Sequence, residues 1–179
     1  QFNLGVMHYN EKGVPQDYET AVKWYRLAAE QGYAKSQYNL GQMYRKGEGV
    51  PQDYKIAVKW YRLAAEEGNA DAQFNLGVMC DNGTGVTQDD KAAVKWYTLA
   101  AEQGDADAQS NLGVMYGTGK GVIQNYVYAH VWLSIAASSG EGGNASKNRD
   151  VIAKRMNSTH ISKAQKLARE CVRNKYKGC

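Results

Sequence analysis

Residues 34–68 read AKSQYNLGQMYRKGEGVPQDYKIAVKWYRLAAEEG, and this stretch decides the fold. Ser36, Leu40, Met43, Tyr44 and Gly47 fall at i, i+4, i+7, i+8 and i+11, so they share one face of a first helix of about three turns. Ala57, Trp60, Tyr61, Ala64 and Ala65 mark the same kind of face on a second, longer helix. Between the two runs Gly47-Glu48-Gly49-Val50-Pro51-Gln52-Asp53. Two glycines can take the left-handed conformation that stops a helix and turns the chain, Pro51 disfavours helix just before it, and Asp53 is a good N-cap for the second helix. Gly68 then closes that helix. The unit is a helical hairpin with apolar faces it cannot cover by itself, so it has to stack on another.

The rest of the chain supplies the others. Asn-Leu-Gly begins at Asn3, Asn39, Asn75 and Asn111, a period of 36 residues each time. Trp24, Trp60, Trp96 and Trp132 keep step, as do Gly32, Gly68, Gly104 and Gly140, and the N-cap position reads Asp17, Asp53, Asp89 and Asn125. Four copies occupy residues 1 to about 143. The first lacks the small residue seen at Ser36, Ala72 and Ala108, so the natural chain is expected to extend further upstream. A glycine inside each first helix (Gly5, Gly41, Gly77, Gly113) costs about 1 kcal/mol against alanine, which is tolerable if a neighbouring side chain needs the room. Trp60 with Tyr61 is the expected occupant in the second copy, and the four tryptophans read as core anchors. After residue 143 the period lapses. Residues 144–156 and 158 to about 175 keep helical patterning, with Asn157 as an N-cap, and suit a terminal cap over the last apolar face. The expected fold is all-α, a right-handed superhelical solenoid of helix-turn-helix repeats over 1–143 with a helical cap over 144–179.

Composition agrees with this and narrows function. With 179 residues, 43% hydrophobic, 2 prolines and 19 glycines, the chain suits long helices joined by frequent turns, and no apolar run approaches the roughly 20 residues of a transmembrane helix. Residues 1–140 hold 12 Lys and Arg against 15 Asp and Glu, while residues 141–179 hold 10 against 3. The formal charge of +4 is thus an acidic body with a basic tail. The tail's bases (Lys147, Lys154, Arg155, Lys163, Lys166, Arg169, Arg173) fall at helical spacing and read as a solvated face, although such a face also attracts acidic partners.

The pattern A-x-A-Q-x-N-L-G-x-M-Y, then G-x-G-V-x-Q-D, then A-V-K-W-Y-x-L-A-A-E-x-G resembles the Sel-one-like repeat (SLR), an α/α-solenoid relative of the tetratricopeptide repeat. The resemblance runs from residue 1 to about 143 and implies a protein-binding scaffold. Departures are local: Glu11 replaces the first loop glycine, His8 and Cys80 replace the tyrosine of Tyr44 and Tyr116, and His130 replaces the valine of Val22, Val58 and Val94. Some disulfide-rich members have been linked to penicillin binding or hydrolysis, so a weak β-lactamase-like hydrolase is one alternative and a purely structural adaptor another. No Ser-x-x-Lys occurs in the chain. His8, His130 and His160 are scattered with no pair at metal-ligand spacing, and the loop glycines lack a preceding strand and the Gly-Lys-Ser/Thr ending of a phosphate loop. No catalytic residue, metal or cofactor is therefore expected.

Cys80 reads as a buried substitute for tyrosine. Cys171 and Cys179 lie about 12 Å apart on a continuous helix, too far for a disulfide, but can meet if the helix stops near Asn174 and reverses. The residues alone leave both states open. The resemblance implies a bridge, since the same spacing is disulfide-bonded in secreted members, and with it a periplasmic or secreted bacterial setting, cytoplasmic being the alternative.

A solenoid's first helices line its concave face. Positions 35, 39, 42 and 46 form a stripe there, reading Lys35, Asn39, Gln42, Lys46 in the second copy, Asp71, Asn75, Val78, Asn82 in the third and Asp107, Asn111, Val114, Thr118 in the fourth. Asparagine is a mediocre helix former whose amide offers one acceptor and two donors, matching an extended peptide backbone. The resemblance implies that role for Asn3, Asn39, Asn75 and Asn111; bonding between neighbouring repeats is the structural alternative. Tyr38, Gln42, Arg45, Lys46 and Phe74 are the flanking candidates for specificity, and Arg45 with Lys46 can receive a carboxylate such as a peptide C-terminus. A monomer that binds protein or peptide, and no nucleic acid, is the expectation.

Overall fold

The computed structural model describes residues 1–140 and 142–179, which among them form ten α-helices and no strand. The class is the all-α repeat solenoid. The helices gather into two compact units, residues 1–88 and 89–179.

The first unit holds α1 (Phe2–Tyr9), α2 (Tyr18–Ala29), α3 (Ala34–Lys46), α4 (Tyr54–Glu66) and α5 (Ala70–Asn82), each packed on the next in sequence. Their ends follow from local chemistry. Asp53 accepts a hydrogen bond from Ile56 N at 2.9 Å and opens α4. Asp17 does the same for α2 with Thr20 N at 3.0 Å, and the hydroxyl and amide of Thr20 hold its carboxyl below the usual range. Gly47 ends α3 at φ 77°. Glu11, at the equivalent position of the first copy, is driven to φ 56°, so the fold imposes on a glutamate the turn that glycine adopts without strain. The second helix is not longer than the first: α3 and α4 both have 13 residues, because the loop through Pro51 takes up the remainder.

Two contacts join consecutive copies in this unit, and a third closes each copy on itself. The second loop glycine is one. A Cβ on Gly49 would run into the backbone carbonyl of Tyr18, and one on Gly85 into that of Tyr54, so each loop seats directly on the start of the preceding copy's second helix. A buried glutamine is another. Gln37 Nε2 donates to Ala29 O at 3.2 Å and Gln73 Nε2 to Ala65 O at 3.0 Å, satisfying carbonyls at helix ends that have no partner within the helix. The third, between the two helices of one copy, is the tyrosine over the helical glycine. Rings of Tyr25 and Tyr61 lie where a Cβ on Gly5 or Gly41 would come within 2.8 Å, and both residues are buried. Each such ring contributes roughly 1.5–3 kcal/mol of apolar burial, which offsets the cost of the glycine. This corrects the sequence expectation for the anchors. Trp24 and Trp60 are only half-buried, and the tyrosine one residue further, about 100° round the helix, occupies the core.

The second unit holds α6 (Asp90–Ala101), α7 (Ala106–Thr118), α8 (Tyr126–Ser139), α9 (Ala145–Ala153) and α10 (Ser158–Arg173). Its opening hairpins repeat the same devices: Gln109 donates to Ala101 O at 3.1 Å, and Gly121 sits against the carbonyl of Asp90. Then the chemistry changes. Gly113 faces Leu133 instead of a tyrosine, and Trp132 is buried. Gly117 makes room for Ile152 of α9, which with Ala129, Leu133, Ala136 and Ala145 forms an aliphatic core. Asn157 caps α10 through His160 N at 2.8 Å, and α10 buries Ala164, Ala168 and Cys171. Past Asn174 the chain reverses through positive φ at Lys175, Tyr176 and Gly178. The turn brings the Cα atoms of Cys171 and Cys179 to 5.6 Å, and the two cysteines form a disulfide.

Candidate functional site

A cleft of about 250 Å³ opens in the first unit between the first helices of copies one and two. Its walls include Tyr38, Asn39, Gln42 and Lys46 from α3, with Val6 and Tyr9 from α1 and Tyr25 from α2 below. Three residues of the expected stripe, Asn39, Gln42 and Lys46, thus meet the flanking candidate Tyr38 in one place. The helical register explains it, since 38, 39, 42 and 46 project from the same side of α3 over about two turns.

Inside, the polar groups are linked. Gln42 Nε2 donates to the Tyr38 hydroxyl at 2.6 Å and its Oε1 accepts from Arg45 Nε at 3.0 Å. Lys46 Nζ donates to the Tyr9 hydroxyl at 3.3 Å, Tyr9 donates to Glu48 Oε2 at 2.9 Å, and Lys46 and Glu48 form an ion pair at 3.5 Å. Arg45 and Lys46 are therefore not two open cations. One is engaged by the Gln42 amide and the other shares its charge with Glu48, a loop residue that the stripe pattern does not mark. Tyr9 is likewise unmarked in the sequence, and only the contact across copies reveals it.

Burial pushes the Tyr25 hydroxyl up to about 12, with the adjacent Asn39 amide pulling the other way. Burial also raises Tyr38 against its bond from Gln42, and raises Tyr9 together with Glu48. Lys46 is raised chiefly by its bond to Tyr9. At neutral pH the cleft thus presents phenols that keep their protons and an ammonium that keeps its charge. Tyr25, Tyr38, Asn39 and Lys46, each with a hydrogen-bond donor, group around one recess, an arrangement that suits an acceptor-rich group such as a carboxylate or a peptide carbonyl.

The other expected positions lie elsewhere. Asn3 is exposed on α1. Asn75 is partly exposed and its Nδ2 donates to Asp71 O of its own helix at 2.7 Å. Phe74 is half-buried on α5, and Asn111 belongs to the second unit. None of the four lines this cleft. Bonding between copies falls instead to the neighbouring glutamines Gln37, Gln73 and Gln109, which recur at the same period but lie outside the asparagine stripe. His8 is half-buried, with its Nδ1 lacking a hydrogen-bond partner, and His160 is exposed. His130 is buried and shares a 3.1 Å hydrogen bond between its Nδ1 and Ser134 Oγ. Among the described residues no helix is long and apolar enough to cross a membrane.

Helical hairpins at a period of 36 residues, linked copy to copy by a loop glycine on a carbonyl and a glutamine on a helix end, define an α/α repeat protein. The Sel1 repeat model matches residues 1–33, 34–69, 70–105 and 106–141, and the chain belongs to the Sel1 repeat family. Members of this family generally serve as scaffolds for protein interaction and are typically non-catalytic. Among solved structures, the chain is similar to a Sel1 repeat protein from Oxalobacter formigenes, with 33% identity over 88% of this chain and 73% of that one, at a TM-score of 0.74. It is also similar to c5321, a protective antigen of uropathogenic Escherichia coli strains displaying an SLR fold, with 31% identity and a TM-score of 0.67. That match takes in 98% of this chain but 45% of c5321. Cysteine rich protein B of Helicobacter pylori shares the fold at 23% identity and a TM-score of 0.57, over 74% of this chain and 94% of that one. No curated protein matches the chain.

Proposed function

We propose that the chain is a non-catalytic scaffold, four repeats over 1–143 and a cap over 144–179, that binds an extended peptide or protein segment along the stripe through Asn3, Asn39, Asn75 and Asn111. The cleft at Tyr38, Asn39, Gln42 and Lys46 holds a carboxylate of that segment. The observation that carries the reading is the grouping of Tyr25, Tyr38, Asn39 and Lys46 around one recess of about 250 Å³, beside Val6 and Tyr9. Phenol, amide and ammonium donors fit an acceptor-rich ligand, and the tyrosine rings supply apolar contact at low entropic cost. Arg45 sets the orientation of Gln42, and Phe74, Asn75 and Asn111 extend the contact to later copies. The Cys171–Cys179 bridge supports an oxidising compartment, periplasmic or extracellular. The chain acts as a monomer.

The test begins with peptides selected on the whole chain from a random library. Their affinities are then compared for wild type, Asn39→Ala and Lys46→Met, each with a free and an amidated C-terminus. Both substitutions are expected to weaken binding by about tenfold, the usual cost of losing a hydrogen bond to a charged group. Amidation has the same effect if the carboxylate is the terminal one. Equal affinities across all proteins would remove the cleft from the site.

A further inference from the structure

A second recess, of opposite character, lies in the C-terminal unit between α8 and α10. It encloses about 420 Å³ over an apolar floor of Ile135, Ala168 and Val172, with Ser134 and Ser138 on one wall and Arg169 on the other. Val172 is 47% exposed although no charge covers it. The two walls differ sharply. Helix α8 has no Asp, Glu, Lys or Arg anywhere along its length. Helix α10 carries Lys166, Arg169 and Arg173 at spacings of three and four residues, which stack on one edge of the recess. All three are exposed, and none takes part in an ion pair among the described residues. The one acid of the helix, Glu170, points away from the apolar floor but stands four residues from Lys166 and three from Arg173, so the edge carries three cations to one carboxylate.

An apolar trough with a net cationic edge, three bases to one acid, is an unmatched surface on both counts. The charge identifies what matches it. We propose that this recess docks an acidic amphipathic helix of a partner protein. Its apolar side chains rest on Ile135, Ala168 and Val172, and its carboxylates face Lys166, Arg169 and Arg173. The lining of α10 runs from residue 165 to residue 172, about 10 Å at 1.5 Å per residue, so the bound helix is engaged over two turns. An anionic membrane fits less well, because Ile135 and Ala168 form the buried floor of a recess and do not protrude as an inserting face would. Nucleic acid fits less well too, since the lining has no aromatic side chain for a base to stack on and one wall has no cation for a phosphate.

The probe is a fluorescently labelled peptide of about 14 residues with leucine at i, i+4, i+7 and i+11 and glutamate on the other face. It is titrated into the whole chain and followed by anisotropy, beside the same peptide with lysine in place of glutamate. Vesicles of phosphatidylcholine with phosphatidylglycerol form a separate arm. The glutamate peptide is expected to bind saturably and to weaken at least tenfold with Arg169→Glu and with Val172→Asp, both at exposed positions that leave the fold intact. Affinity should fall several-fold between about 0.05 and 0.5 M salt, and Lys46→Met in the other unit should leave it unchanged. No saturable binding, equal binding of the lysine peptide, or indifference to Arg169→Glu and Val172→Asp would each overturn the proposal. Vesicle binding without peptide binding would also overturn it, in favour of a membrane surface.

Discussion

The junction from the first copy to the second and the junction from the fourth copy to the cap do the same work with different atoms. In residues 1–88 a loop glycine rests on a carbonyl of the preceding copy and a glutamine reaches back to the end of that copy's second helix. Where the fourth copy meets the cap the atoms are different: Ile152 of α9 fills the space above Gly117, and a disulfide closes the tail. The first kind of junction can be copied without limit because both of its surfaces are regenerated by every repeat. The second ends the array, since α10 turns a basic, solvated edge outward in place of another repeat-binding face. A repeat protein thus needs one periodic interface and one that deliberately fails to repeat.

The comparison breaks most severely at the loop glycine. Gly49→Ala adds a methyl group against the Tyr18 carbonyl at a left-handed φ, and is expected to lower unfolding free energy by about 3 kcal/mol or more. Gly13→Ala, at the same loop position but with only Met7 Cε at 4.0 Å, should cost about 1 kcal/mol. Urea titration of both variants separates the junction from the turn; equal losses would mean that backbone strain alone sets the cost. Next comes the buried amide. Gln73→Ala takes the buried side-chain donor from the Ala65 carbonyl, leaving it to the backbone N–H of Gly68, and empties a buried site, so it should cost about 2 kcal/mol. Asn75→Ala, two residues on and bonded within its own helix, should stay within about 1 kcal/mol by the same titration.

The smallest effect sharpens the other side of the comparison. His130 stands in the fourth copy where the others have valine, and burial, followed by the nearby Arg149, lowers its pKa below the ordinary 6.5. As pH falls below about 6.5 the unfolded chain takes up a proton that the folded chain still refuses, so stability drops until the folded pKa is passed. His130→Val should flatten that decline between about pH 7 and pH 5, read as the thermal midpoint against pH. An unchanged slope would place the acid sensitivity on other groups.

How much of this was legible in the sequence depends on the distance over which the cause acts. Caps and turns act over three or four residues, and Asp53, Asn125, Asn157 and Gly47 are found where their types predict. The choice between Trp60 and Tyr61 as core occupant was harder, because both are large and aromatic and differ only by one step round the helix. The space above Gly41 decides it, and that space belongs to the fold. The cleft was half legible. Its α3 side is a stripe in the sequence, whereas Tyr9 and Glu48 join it across 39 residues through a bond no local pattern announces. The recess at α10 was least legible of all, since its bases look the same on any solvated helix until α8 is seen beside them without a charge of its own.

The glutamine that reaches back one copy also bears on how the molecule yields to force. Gln37 and Gln73 each tie a copy only to the copy before it, so tension along the chain meets a series of separate fastenings, not one shared clasp. Pulled by its ends, the array should extend in successive steps, each releasing the contour of one 36-residue period, about 120 Å at roughly 3.4 Å per extended residue.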